Sequence, residues 1–197
     1  GMFGFAIWDA RRQTLLVCRD RLGIKPIYWL ADAKRVAFAS EAKALLELPG
    51  VAREVNPTAL AAYLELGYVP APLSMLRGIH KLPIGSMLKV SPQGASVHTY
   101  WQPSTRVDPA PSAAEWLSRV RTRLEESVRM QMVSDVPIGA FLSGGVDSSA
   151  VLAFMSRHSS GPVKTYSIGF DGGAAERFYN ELDQARQVAK LFGTDHH

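Results

Sequence analysis

The chain has 197 residues, 47% of them hydrophobic and 20% charged, with a formal net charge of +4. That length fits one large domain or two small ones, and that composition belongs to an ordinary globular protein. No apolar run approaches the ~20 residues that cross a bilayer, and the start Gly1-Met2-Phe3-Gly4 has no basic stretch ahead of an apolar core, so neither a membrane span nor a secretory signal is expected.

The charge is uneven. Through Pro103 there are 12 basic and 7 acidic residues, and from Ser104 onward 10 basic and 11 acidic. The densest basic stretch, Arg119, Arg121 and Arg123, runs straight into Glu125, Glu126 and Arg129. Mixed signs at that spacing mark a solvated helix face, and no nucleic-acid partner is expected. The single cysteine, Cys18, cannot form an intramolecular disulfide, which fits a reducing, cytoplasmic setting.

In chain order, Phe3 to Trp8, the polar turn Asp9 to Arg12, and Thr14 to Cys18 read as strand, turn, strand. Short apolar runs at Ile27 to Leu30 and Val36 to Ala39 add two more strands, and such close spacing implies an antiparallel sheet. Ser40-Glu41 reads as a cap with a first-turn acid for a following helix. Asn56-Pro57 supplies an N-cap and a first-turn proline for a helix that should stop near Gly67. Tyr68 to Pro72 reads as a rigid loop that could face a domain interface. Strands at Ser86 to Val90 and Ser96 to Trp101 flank the turn signal Ser91-Pro92-Gln93-Gly94.

Gln102 to Pro111 holds three prolines and almost nothing apolar, which places a linker there and a domain boundary near Thr105. Beyond it the rhythm changes. Ser112 can cap a helix in which Leu117, Val120, Leu124 and Val128 share a face, about 33 Å long if it runs to Val133. A strand at Ile138 to Leu142, a glycine turn, a helix from about Ser148 to Arg157, a strand at Val163 to Phe170 and a helix carrying Leu182, Ala185, Val188, Ala189 and Phe192 follow. Strand alternating with helix implies a parallel sheet with helical crossovers.

The segment Leu142-Ser143-Gly144-Gly145-Val146-Asp147-Ser148 joins a strand to a helix N-terminus. Unpaired N–H groups and the helix dipole favour an anion there. Gly144 and Gly145 can take positive φ and let the backbone approach phosphate oxygens, and the hydroxyls of Ser143 and Ser148 add donors. Asp147 would repel a bare polyphosphate unless it holds a Mg²⁺. The turn lacks the lysine of the Gly-x-x-x-x-Gly-Lys-[Ser/Thr] phosphate loop. A tight strand-to-helix connection with glycines for geometry is the plainer alternative.

Ser143-Gly144-Gly145-Val146-Asp147-Ser148-Ser149 resembles the signature of PP-loop ATP pyrophosphatases. Asp135 to Leu142 before it, Tyr166 to Phe170 after it and Leu191 to His197 resemble, more narrowly, glutamine-hydrolysing asparagine synthetases. Gly1 to Ala6, Arg19 to Tyr28, Phe38 to Leu45 and Lys81 to Gly85 resemble the later half of that family's glutaminase domain. The fold the resemblance implies is an α+β, N-terminal nucleophile hydrolase-like part with an antiparallel sheet over residues 1–104, followed by an α/β, PP-loop-like part with a parallel sheet over residues 105–197, both partial.

The resemblance implies a ligase that activates aspartate with ATP as an acyl adenylate, releases pyrophosphate, and lets ammonia from glutamine displace AMP. The implied ligands are ATP and Mg²⁺, with glutamine and aspartate as substrates and a homodimer as the one macromolecular association. Carried over, Ser143, Gly144, Gly145, Val146, Asp147 and Ser148 would hold pyrophosphate, with Asp147 on Mg²⁺. Leu142 and Ile168 would contact adenosine, Ile168 through its backbone. Binding beyond the carboxyl ends of parallel strands agrees with the general rule for open α/β sheets.

The family's glutaminase nucleophile is an N-terminal cysteine, and this chain begins Gly1-Met2. Cys18, inside a predicted strand, is expected to be a buried small hydrophobe, so no catalytic residue is assigned. The expectation is an internal fragment that hydrolyses no glutamine and leaves sheet edges and apolar faces exposed. A relative amidating or cyclising another carboxylate, and a nucleotide-binding module without turnover, are the alternatives. Arg19-Asp20 with Lys25-Pro26 is read as a turn-fixing ion pair and His196-His197 as structural. His80, His98 and His158 are assigned no role.

Overall fold

The computed structural model describes residues 1–169 and 180–197. It divides into two compact units, Gly1–Arg106 and Val107–His197. Phe170, at the end of the expected strand Val163 to Phe170, lies outside the described residues.

The first unit is built on two antiparallel sheets. In the larger, of order β1-β2-β6-β7, β1 (Gly4–Asp9) and β2 (Thr14–Arg19) form a hairpin in register from Gly4 opposite Arg19 to Asp9 opposite Thr14. Asp9 Oδ1 closes its turn by accepting the N–H groups of Arg11 and Arg12 at 3.0 Å. β6 (Ser86–Ser91) and β7 (Gly94–Thr99) form a second hairpin whose turn lies at the expected Ser91 to Gly94. The smaller sheet has the order β4-β3-β5, from β3 (Tyr28–Ala31), β4 (Val36–Ala39) and the short β5 (His80–Lys81).

Val17, Ile27, Leu82 and Leu88 form one buried cluster in this unit, and Leu30, Leu45 and Ile79 another. Phe5, Ile7 and Trp8 on β1 stay exposed. Helix α2 (Pro57–Leu66) starts and stops where the sequence places it. The Asn56 side chain accepts from Thr58 and Ala59, and Gly67 ends the helix at φ 76°. Helix α1 (Ala42–Leu46) corrects the expected Ser40 cap: the capping residue is Glu41, with no side-chain cap bond, its carboxylate 2.7 Å from Lys43 Nζ instead.

Arg19 and Asp20 also depart from the expected ion pair. Asp20, 1% exposed, accepts three backbone N–H bonds, from Leu22 (3.1 Å), Ile24 (3.0 Å) and Lys25 (2.9 Å). Arg19 spends its guanidinium on the carbonyls of Gly23, Lys25 and Leu82. The turn is fixed by side chain to backbone bonds because each neighbouring peptide group needs a partner once buried. Burial alone would raise the Asp20 carboxyl. The N–H donors of Lys25, Ile24 and Leu22, helped by that of Phe3, overcome it and hold the group below its ordinary value.

In the second unit, three parallel strands in the order β10-β9-β8 are β8 (Gly139–Phe141), β9 (Lys164–Tyr166) and β10 (Asp195–His196). Helix α3 (Ala113–Gln131) opens on a full capping box. The Ser112 hydroxyl accepts from Glu115 N–H, and the Glu115 carboxylate accepts from Ser112 N–H at 2.6 Å. It ends at Gln131, two residues short of the expected Val133, so it spans about 28 Å. Helices α4 (Val146–His158) and α5 (Leu182–Phe192) complete the unit. Val128, Leu142, Leu152, Phe154, Met155, Val163, Ala185 and Ala189 form its core. Among the described residues, no helix is long and apolar enough to cross a membrane.

Candidate functional site

The glycine turn leaves β8 at Leu142 and enters α4 at Val146. Leu142 is 3% exposed and extends the parallel ladder, its N–H donating to the Tyr166 carbonyl at 2.8 Å. The Leu142 carbonyl in turn accepts the Ser167 hydroxyl. This anchors the last residue before the turn to the strand beside it.

Gly144 sits at φ 81°, and a β-carbon there would lie 2.5 Å from the carbonyl carbon of Gln184 and 2.7 Å from Ala185 N. The first turn of α5 therefore packs directly on the glycine backbone. Gly145 corrects the expectation of a second positive φ: it has φ −70°, and its β-carbon position is limited only by the Ser143 hydroxyl at 3.3 Å. Gly145 is instead the N-cap of α4, and being glycine it offers no side-chain cap. Helices α2 and α3 both have side-chain caps. The first-turn N–H groups of α4, like those of α1 and α5, receive no side-chain cap.

The hydroxyls of Ser143 and Ser148 lie 3.0 Å apart, and the Ser148 hydroxyl is also 3.2 Å from the Gly145 carbonyl. A further bond, 3.3 Å long, runs from Gly145 N–H to the Ser143 oxygen. Neither the bond between the hydroxyls nor that to the Gly145 carbonyl belongs to the backbone ladder of α4. A cavity of about 370 Å³ opens beside them, lined by Leu142, Ser143, Ser148, Tyr166, Ile168 and Glu181 among others. It lies beyond the carboxyl ends of β8 and β9, where ligands of open α/β sheets bind.

The structure therefore brings together Leu142, Ser143, Ser148 and Ile168. Gly144, Gly145 and Val146 are not among the residues that line the cavity, and the Val146 side chain is 86% exposed. Asp147, in the first turn of α4, borders a neighbouring apolar hollow of about 460 Å³ with Leu124, Val128, Met132 and Val151. Among the described residues its carboxylate makes no ion pair, and no group of three metal-ligating side chains forms. Asp147 is thus a single carboxylate, and it borders the hollow beside the cavity, not the cavity itself.

Sequence reasoning missed Glu181 and Ser167. Glu181 is the N-cap of α5 and reaches the cavity only because that helix packs on Gly144. Ser167 was legible only as part of the Tyr166 to Phe170 motif. On the first unit, Cys18 is half-buried in β2 opposite Phe5, and burial pushes its thiol above the ordinary value, which suits a packing residue more than a nucleophile.

Residues 1–101 match the family model for a glutamine amidotransferase domain, and residues 119–197 match that for asparagine synthase. Asparagine synthetase [glutamine-hydrolyzing] 3 of Bacillus subtilis is 33% identical over 100% of this chain and 34% of its own length. Amidase chry2 of Gibberella zeae is 30% identical over 100% of this chain and 31% of its own. The chain thus spans about a third of the length of these curated relatives. The solved structure of the Bacillus subtilis glutamine phosphoribosylpyrophosphate amidotransferase, complexed with ADP and GMP, covers 93% of this chain and 54% of its own. It is 11% identical to this chain, with a TM-score of 0.26. Together the two consecutive family matches and the alignment over the whole of this chain establish that it belongs to the glutamine-hydrolysing asparagine synthetase family.

Proposed function

We propose that this chain serves glutamine-dependent amidation of a carboxylate, aspartate in the first instance, with ATP consumed to AMP and pyrophosphate through an acyl adenylate. The observation that carries this reading is the cavity beyond the carboxyl ends of β8 and β9, which Ser143 and Ser148 line with their hydroxyls on either side of the start of α4. A carboxylate is a poor electrophile, and adenylation gives it a good leaving group. The donors at Ser143 to Ser148 suit the charge that builds on departing pyrophosphate, since they are fixed before the reaction begins.

Within that reading the roles divide by chemistry. The backbone N–H groups of Gly144 to Ser148 bind phosphate oxygens. The Ser143 and Ser148 hydroxyls exchange their mutual bond for bonds to the same oxygens. Leu142 and Ile168 flank the nucleoside, Ile168 through its backbone. Asp147 would hold Mg²⁺, which when bound screens the phosphate charge. The domain boundary near residue 105 divides ammonia supply on the amidotransferase side from carboxylate activation on the other.

A second reading keeps the loop chemistry and changes the acceptor carboxylate. One relative carries the name of an amidase, not of an asparagine synthetase. Product analysis tests both readings: ATP should yield AMP and pyrophosphate in an acceptor-dependent manner, and ADP with phosphate would refute the mechanism. The acceptor that supports turnover, aspartate or another acid, separates the two.

A further inference from the structure

A second cavity, of about 580 Å³, borders the nucleotide cavity across Ser167 and Leu182, at the carboxyl ends of β9 and β10. Arg186, His196 and His197 line it, and no carboxylate does among the described residues. Among the described residues, two acids pair with these side chains. Asp183 holds Arg186 Nη1 at 2.9 Å, and Asp195 holds His197 Nε2 at 3.2 Å.

His196 is held from behind. Its Nδ1 lies 3.0 Å from the hydroxyl of Thr165, which is 0% exposed, and that hydroxyl lies 2.8 Å from the Thr194 hydroxyl. The Thr194 hydroxyl also reaches the Ala189 carbonyl at 3.5 Å. Two proton arrangements satisfy the chain. With Nδ1 unprotonated, Thr194 donates to Thr165 and Thr165 donates to Nδ1. With Nδ1 protonated, the donors run the other way and end on the Ala189 carbonyl. With Nδ1 unprotonated the neutral ring carries its proton on Nε2, which then donates; with Nδ1 protonated, Nε2 donates in the charged ring and accepts in the neutral one. The His197 ring is stacked on Tyr166, with centroids 5.4 Å apart, which fixes a second imidazole at the same rim.

We propose that this cavity is an oxyanion subsite in which His196 Nε2 and the remaining donors of Arg186 hold a carboxylate or phosphate group beside the nucleotide. The identity of that anion rests on the proposed function: the acceptor's carboxylate and the released pyrophosphate are its two sources. Arg186 supplies planar donors suited to either group, and the relay through Thr165 sets the ring that faces it.

The test uses the full-length protein labelled with ¹⁵N in histidine. Inorganic phosphate, pyrophosphate and L-aspartate are titrated separately to millimolar concentration, first without and then with ATP. The expected result is a saturable shift of the His196 ring nitrogens by at least one of the three, weakened about tenfold or more in Arg186→Gln. A response to aspartate alone assigns the acceptor, and a response to the phosphates assigns the leaving group; both support the subsite. No shift at His196 with any of the three, or affinities unchanged in Arg186→Gln, overturns it. ATP binding at the loop with a silent His196 sinks the subsite alone. A response at His196 without ATP binding sinks the nucleotide reading and leaves the subsite standing.

Discussion

Gly144 and Gln184 are in backbone contact: a β-carbon on the glycine would stand 2.5 Å from the carbonyl carbon of Gln184 and 2.6 Å from its β-carbon. The helix α5 backbone cannot yield as a flexible side chain can, and φ 81° is unfavourable for any L-residue. Gly144→Ala should therefore destabilise the second unit by at least about 2 kcal/mol. Gly145→Ala, at φ −70° and facing only the Ser143 hydroxyl, should cost about 1 kcal/mol or less. Denaturant midpoints of the two variants check the contrast, and equal losses would contradict it.

Asp147→Ala should abolish ATP consumption while leaving the fold intact, because the carboxylate is exposed and makes no ion pair among the described residues. Far-ultraviolet circular dichroism and the unfolding midpoint should match those of the unaltered protein. Retained Mg²⁺-dependent turnover would remove the metal assignment.

Asp20 ties stability to acid. Its folded-state pKa lies below the unfolded value of about 3.9. Its contribution is therefore complete above that value and is lost as pH falls through the folded pKa. Asp20→Asn leaves Lys25 N–H facing an amide donor or an empty position in a buried turn, and should cost roughly 3 kcal/mol at neutral pH. The difference between the two proteins should shrink as pH is lowered below about 4. Urea midpoints across that range measure it, and a difference independent of pH would contradict the assignment.

The capping box on α3 gives a smaller effect. Ser112→Ala removes the acceptor for Glu115 N–H and should lower stability by about 1 kcal/mol. Ser112→Gly should cost only a few tenths. Thermal melts of the two variants distinguish a lost cap from a general disturbance of the loop before the helix.

Elements whose signal is local were legible in the sequence. Asn56-Pro57 and Gly67 bracket α2, Ser112 with Glu115 opens α3, and Ser91 to Gly94 turns the β6–β7 hairpin, each through bonds between residues a few positions apart. The strand-to-helix turn was legible for the same reason. What depended on packing was not. Gly144 and Gly145 are equivalent as letters, and only the approach of α5 separates the one that must be glycine from the one that serves as an open N-cap. Glu181 enters the cavity through that same packing. Arg19-Asp20 invited an ion pair because adjacent opposite charges suggest one. Burial instead obliged each to satisfy peptide groups, and those partners, Leu82 among them, are remote in sequence.

The guanidinium of Arg19 joins Gly23 and Lys25, close by, to Leu82, 63 positions further on. Local geometry alone cannot finish the bend at 20–25, since one of its fastenings arrives with distant chain. That bend should consequently acquire protection from hydrogen exchange late during refolding, together with the segment around Leu82, whereas the β1–β2 hairpin can form early from neighbours alone.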